Sequence, residues 1–282
     1  MRTTSAVASL PHRPLRGRRL PVVLGAAGAL ATAAALAPAT PAAAGTGAIH
    51  PGVQTMTNGA QCTANFIFRD GGGTYIGQAA HCSGTGSSTD TDGCTSASLP
   101  LGTPVTVTGA SKPGTLVYNS WLTMQSLHET DPNACAYNDI ALVKLDPADA
   151  ANVDPSVPFF GGPTGVATSA PASGDKVYSY GNSELRLGLS PLSPKFGVVV
   201  QENGGGWSHT VYTLTPGIPG DSGSAFLSSD GKPLGVLSTL AIAPLAGSNN
   251  VSDLNHMLTY MHQHSSFGGV SLVTGGAFSS PL

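Results

Sequence analysis

Short apolar runs broken by turn residues recur from about residue 60 to about residue 240. Cys62-Thr63-Ala64-Asn65-Phe66-Ile67-Phe68 reads as a strand, Asp70-Gly71-Gly72-Gly73 as a hairpin turn, and Thr74 to Ala80 as the returning strand. Further strands are predicted at 103–108, 115–118 and 140–145. The last, Ile140-Ala141-Leu142-Val143-Lys144-Leu145, is nearly continuous in apolar residues and should be largely buried. A connection rich in Pro, Gly, Ala and Asp covers 146–170. Five more strands are then predicted at 176–180, 196–201, 209–214, 224–227 and 234–240. Short strands with a turn signal beside each point to an all-β barrel or sandwich and not to a parallel sheet. Near the end, Leu254, Met257, Leu258 and Met261 fall at i, i+3, i+4 and i+7 after a candidate cap at Ser252. That stripe predicts a helix over about 252–264. Residues 83–98 are polar and read as a surface loop, and the Gly/Ser-rich residues 266–282 as a loosely held tail.

The first residues follow a different pattern. Arg13, Arg16, Arg18 and Arg19 precede an apolar run from Leu20 to Ala37, and Ala42-Ala43-Ala44 offers a cleavage point before Gly45. This is the form of a secretory signal peptide over 1–44. A membrane anchor is disfavoured by the prolines and glycines that interrupt the run. A twin-arginine signal at Arg18-Arg19 fits its flanks poorly. Without the leader, seven basic residues face fifteen acidic ones, a net charge of −8. An acidic exported chain with no basic patch argues against nucleic acid as a partner.

Four cysteines, Cys62, Cys82, Cys94 and Cys135, lie after the leader. Export favours disulfides, and four cysteines allow three pairings. A zinc site is disfavoured because no two of them form a C-x-x-C pair. His256, His262 and His264 lie in or just past the predicted helix, where a solvated helix end is preferred to a metal site. No cofactor and no metal is expected.

Three stretches carry candidate chemistry. In Pro219-Gly220-Asp221-Ser222-Gly223-Ser224 a serine sits between glycines that let the backbone turn sharply. Such a turn exposes a hydroxyl and gathers neighbouring N–H groups, as a nucleophile with an oxyanion hole requires. In Asn138-Asp139-Ile140-Ala141-Leu142 an aspartate stands at the mouth of a buried strand, where it needs a partner such as a histidine N–H. Ala79-Ala80-His81-Cys82 supplies a histidine behind small residues.

Together, and in that chain order, AAHC, NDIAL and GDSGS resemble the three motifs of chymotrypsin-like (trypsin-fold) serine peptidases, in a secreted bacterial-type form. The resemblance covers about 50–265 and is tight only around the three blocks. It implies two six-stranded antiparallel β-barrels, at about 50–150 and about 170–250, with a C-terminal helix, in a peptidase domain spanning 45–265. It further implies Ser222 as nucleophile, His81 as general base, Asp139 as its orienter, and Gly220 and Ser222 N–H groups as the oxyanion hole. The pairings Cys62–Cys82 and Cys94–Cys135 are expected on the same ground. The first closes a loop worth about 3 kcal/mol in the chain-entropy picture.

The implied activity is that of a secreted, monomeric endopeptidase acting on polypeptides. Pro216, Ser238 and Leu240 fall at the substrate pocket. With no carboxylate at Pro216, a preference for small or apolar side chains is expected over Arg or Lys. Two alternatives remain: an inactive secreted binding protein on the same fold, or an esterase of small acyl groups. The family's Ile-Val-Gly-Gly type N-terminus is absent from Ala48-Ile49-His50-Pro51-Gly52, so Asp221 needs another cation. Among Lys176, Arg186, Lys195 and Lys232, the planar fork of Arg186 suits a carboxylate best.

Overall fold

The computed structural model describes residues 47–87, 90–167, 169–240 and 246–281. The expected leader and residues 241–245 lie outside the described residues. The described residues all belong to one compact unit.

The first half of the chain supplies β1 (Gln54–Thr57), β2 (Ala60–Thr63), β3 (Ile67–Asp70), β4 (Gly73–Gln78), β5 (Pro104–Val107), β6 (Gly114–Asn119) and β7 (Ala141–Lys144). The second half supplies β8 (Lys176–Tyr180), β9 (Pro194–Asn203), β10 (Ser208–Thr213), β11 (Ala225–Ser228), β12 (Pro233–Leu240) and β13 (Asn249–Asp253). Strand β14 (Ser271–Leu272) comes from the C-terminal tail, and the helices are α1 (Ser120–Leu127), α2 (Pro132–Tyr137) and α3 (Leu254–His264). Strands β8 to β13 close into a six-stranded antiparallel barrel in the order β10-β13-β12-β11-β8-β9.

The first lobe departs from the expected six strands. It is an eight-stranded antiparallel sheet in the order β14-β3-β4-β7-β6-β5-β1-β2. Asn58 and Gly59 both have positive φ and form the two-residue turn of a β1–β2 hairpin. The predicted strand 62–68 is broken, because Asn65 Oδ1 accepts the Phe66 N–H and turns the chain between β2 and β3. The tail adds the eighth strand, pairing Ser271 and Leu272 with Arg69 and Phe68.

Apolar alternation places Ile67, Ile76, Val105, Leu116 and Val143 in the core of the sheet and Val177, Val199, Val211, Phe226 and Val251 in the barrel. A third cluster, including Phe66, Phe68, Leu142, Tyr178, Leu227 and Val236, joins sheet to barrel. Met257 and Met261 of α3 complete it, so the predicted helical stripe is the buried face. Burying one such side chain is worth about 1.5–3 kcal/mol.

The helix cap is Asp253 and not Ser252. Ser252 lies in β13, and Asp253 Oδ1 accepts the His256 N–H at 2.9 Å. The tail is held as well as ordered. Phe267 packs edge-on against Tyr75 and Tyr118 of the sheet, and Phe278 against Tyr178 of the barrel. Its composition hid this, because two aromatic anchors and backbone bonds such as Val273 N–H to Ile67 O secure an otherwise weak segment.

Candidate active site

Three loop ends meet where the sheet faces the barrel. His81 stands on the 3-10 turn Ala80–Ser83 directly after β4. Ala79 and Ala80 are wholly buried, so the turn lies close against the lobe. The Cys62–Cys82 disulfide ties this turn to β2, and Asn119 Nδ2 donates to the Ala80 carbonyl at 3.1 Å. Asp139 stands between α2 and β7. Ser120 Oγ grips that turn from both sides, donating to Asn138 O at 2.7 Å and accepting the Ile140 N–H at 3.2 Å. Asn119 also caps α1, so one helix start supports the turns of both residues.

Asp139 and His81 are doubly joined. The His81 backbone N–H donates to Oδ1 at 2.9 Å, and the ring Nδ1 lies 2.7 Å from Oδ2. Ser238 Oγ donates to the same Oδ2 at 2.6 Å. A carboxylate only accepts, so Nδ1 carries the ring proton and Nε2 is left as the base. Burial alone would lower the His81 pKa, but the Asp139 charge and hydrogen bond outweigh it and raise it above 6.5. Burial likewise pushes Asp139 up, and the charge and hydrogen bonds of His81, with the Ser238 hydroxyl, bring it below 3.8.

Ser222 sits in the turn before β11. Gly220 and Gly223 have φ of +93° and +88°, a region that favours glycine. A Cβ on Gly223 would meet Thr63 O at 2.6 Å and Ala79 N at 2.9 Å, so glycine is what lets this turn approach the histidine arm. His81 and Ser222 border one cavity of about 460 Å³. Among the described residues, Ser222 Oγ makes no hydrogen bond to His81. Such bonds often form only once a substrate is bound.

Asp221 is fully buried and meets two cations. Arg186 Nη2 lies 2.6 Å and Lys195 Nζ 2.8 Å from its Oδ2. Backbone N–H groups of Ser183 and Ile218 add bonds at 3.1 Å each. The expected Arg186 contact is therefore present, but wholly buried Lys195 shares the carboxylate. Burial would raise the Asp221 pKa, and the nearby cations bring it below 3.8. Burial lowers the Lys195 pKa below 10.5 despite the attraction of Asp221.

The expected pocket residues divide. Leu240 and Ser238 border the cavity, although the Ser238 hydroxyl is turned to Asp139. Pro216 does not line it; its carbonyl accepts from Arg186 Nη2 at 3.0 Å, and Gly217, Ile218 and Pro219 form that wall instead. Behind them Asn249, fully buried, accepts from Gly217 N–H and donates to the carbonyls of Gly217 and Thr239. The second disulfide joins Cys94 to Cys135 and fixes the loop after His81 to α2. The three histidines near α3 are engaged separately: His256 with Asp253, His262 with Val270 O, and His264 in tilted ring contact with Tyr260.

A closed antiparallel barrel, a second antiparallel sheet and a C-terminal helix, with this site between them, define the chymotrypsin-like fold. Among solved structures, Thermobifida fusca Protease A shares it at a TM-score of 0.50 and 20% identity, covering 80% of this chain and 99% of that one. Nocardiopsis protease matches at 0.48 and 19%, covering 79% and 98%. Cellulomonas bogoriensis chymotrypsin matches at 0.48 and 17%, covering 80% and 98%. These neighbours are bacterial serine proteases, and at such identities the likeness is one of fold. No family model matches the sequence, and no curated protein does either.

Proposed function

We propose that the protein is a secreted serine endopeptidase that cleaves after small or apolar side chains through an acyl-enzyme. The observation that carries the reading is that His81, held by Asp139, borders one cavity with Ser222, whose turn is made for close approach. His81 Nε2 takes the Ser222 hydroxyl proton as Oγ attacks the scissile carbonyl, and later gives it to the leaving amine. Asp139 fixes the tautomer and stabilises the imidazolium. The Gly220 and Ser222 N–H groups receive the developing oxyanion; among the described residues they donate to no carbonyl. Losing one such donor costs about 2.7–4 kcal/mol of activation free energy.

Arg186 and Lys195 serve Asp221 in place of a freed N-terminal amine, so the turn keeps its shape by means internal to the domain. The cavity wall at Gly217–Pro219 offers no carboxylate, and Asp90, which borders the cavity elsewhere, accepts the Ser87 N–H; the wall therefore favours small or apolar side chains over Arg and Lys. Two disulfides suit an extracellular enzyme. Among the described residues no helix is long and apolar enough to cross a membrane.

Cleavage of a peptide library by the chain from Gly45 onward tests the reading. Cuts after small or apolar residues support it. A profile dominated by Arg and Lys overturns the preference. Turnover of small esters without peptides would make the protein an esterase, and no turnover at all would make it a binding protein.

A further inference from the structure

Three carbonyls of the nucleophile turn are held by groups outside it. Ser183 Oγ donates to Pro219 O at 2.5 Å. Thr63 Oγ1 and Gln61 Nε2 donate to Gly220 O at 2.8 and 3.1 Å. The Thr63 N–H donates to Ser222 O at 2.8 Å. In a trans peptide the C=O and N–H point to opposite sides of one plane. Fixing Pro219 O therefore fixes where the Gly220 N–H points. The next plane is held at both ends, since Asp221 N–H donates to Ile218 O at 2.8 Å. Gly220 itself is permissive about its φ and ψ, so the orientation must be imposed from outside.

The two hydroxyls are each oriented by a backbone amide. Ser183 Oγ accepts the Leu185 N–H at 3.1 Å, and Thr63 Oγ1 accepts the Asn182 N–H at 3.0 Å. That leaves each hydroxyl hydrogen free to donate to the turn. Ser183 is 3% exposed and Thr63 0%, so neither bond competes with solvent. Ser183 comes from the loop after β8 and Thr63 from β2. The turn is thus gripped by the barrel lobe and by the sheet lobe together.

We propose that Ser183 and Thr63 are positioning residues of the oxyanion hole, whose hydroxyls hold the Pro219–Gly220 and Gly220–Asp221 peptides so that the Gly220 N–H faces the reacting carbonyl. This rests on the peptidase reading above. It assigns neither residue a contact with substrate.

The test compares Ser183→Ala and Thr63→Val with the conservative Ser183→Thr and Thr63→Ser. Steady-state kinetics on a peptide amide are paired with inhibition by a peptide aldehyde and by the matching alcohol. The aldehyde adduct on Ser222 places an oxyanion in the hole, and the alcohol cannot. Expected is a fall in kcat of about tenfold, with KM within about twofold, and an equal weakening of the aldehyde but not the alcohol. The conservative variants should stay within about threefold of wild type. The proposal is overturned if kcat stays within about twofold in both deletions, or if aldehyde and alcohol weaken alike. Should Thr63→Val not fold, Ser183→Ala alone decides. Phosphonate labelling of wild type runs alongside. No adduct on Ser222 would sink the peptidase reading, whereas an adduct with unchanged variant kinetics sinks only the positioning role.

Discussion

Two cations on one oxygen of Asp221 make a redundant support, and that redundancy is measurable. With Arg186 and Lys195 charged, the cluster carries a net +1; losing either cation leaves it neutral. A hydrogen bond to a charged group contributes about 1.5–3 kcal/mol, so Arg186→Ala and Lys195→Met should each cost about that much. Losing both leaves a carboxylate with no solvent exposure and only the Ser183 and Ile218 N–H groups as partners. An uncompensated buried charge costs about 3–5 kcal/mol by itself. The double variant should therefore exceed the sum of the singles by at least about 1 kcal/mol. Urea denaturation at pH 7 measures this, with every variant built on Ser222→Ala to prevent self-digestion. Equal slopes with shifted midpoints are required for the comparison. Costs that add, or a double variant milder than the sum, would refute the redundancy. Acid should expose the same support. Asp221 has its pKa lowered in the fold, so its contribution is present above the unfolded value of 3.8 and is lost as pH falls through the folded value.

The geometry also sets two other outcomes. The log of kcat/KM should rise with pH through an inflection above 6.5, since protonated His81 cannot accept the Ser222 proton; Asp139→Asn should move that inflection down and reduce kcat by about 10⁴. A pH–rate profile checks it, and an unmoved or raised inflection in Asp139→Asn contradicts it. Deleting residues 266–282 removes the Phe267 and Phe278 anchors and should cost at least about 3 kcal/mol, read from urea midpoints in the Ser222→Ala background; a loss below about 1 kcal/mol would return the tail to a loose role.

Much of the barrel was legible because its strands are apolar, short and punctuated. β8 is found at the predicted Lys176–Tyr180, and the ends of the other four predicted strands differ by at most two residues. Elements that obey other physics were not. β13, Asn249-Asn250-Val251-Ser252-Asp253, has almost no apolar signal because its polar side chains are consumed inside the barrel and at the α3 cap. α1 and α2 are too short for periodicity, although Asn119 and Asp131-Pro132 carry their start signals. The β1–β2 hairpin carries its only strong signal in the turn dipeptide Asn58-Gly59, since its two strands are mostly polar.

At the site, the local motifs could be read and their supports could not. His81, Asp139 and Ser222 announce themselves by their neighbours in sequence. Ser120, Thr63 and Ser183 act on residues 18, 157 and 36 positions away, so only the fold brings them to their partners. Lys195 is one of four basic candidates in the sequence, and chemistry alone favours the guanidinium. Position in the sequence puts Pro216 at the pocket, whereas its carbonyl is turned to Arg186.

The proposed peptidase activity requires Ser222 to be a nucleophile activated by His81. A biotinylated fluorophosphonate, followed by peptide mass spectrometry, tests it most directly. One adduct is expected, on Ser222, absent in Ser222→Ala and formed orders of magnitude more slowly in His81→Ala. No adduct under conditions that label a control serine protease, or an adduct on another residue while Ser222→Ala still cleaves peptides, would contradict it.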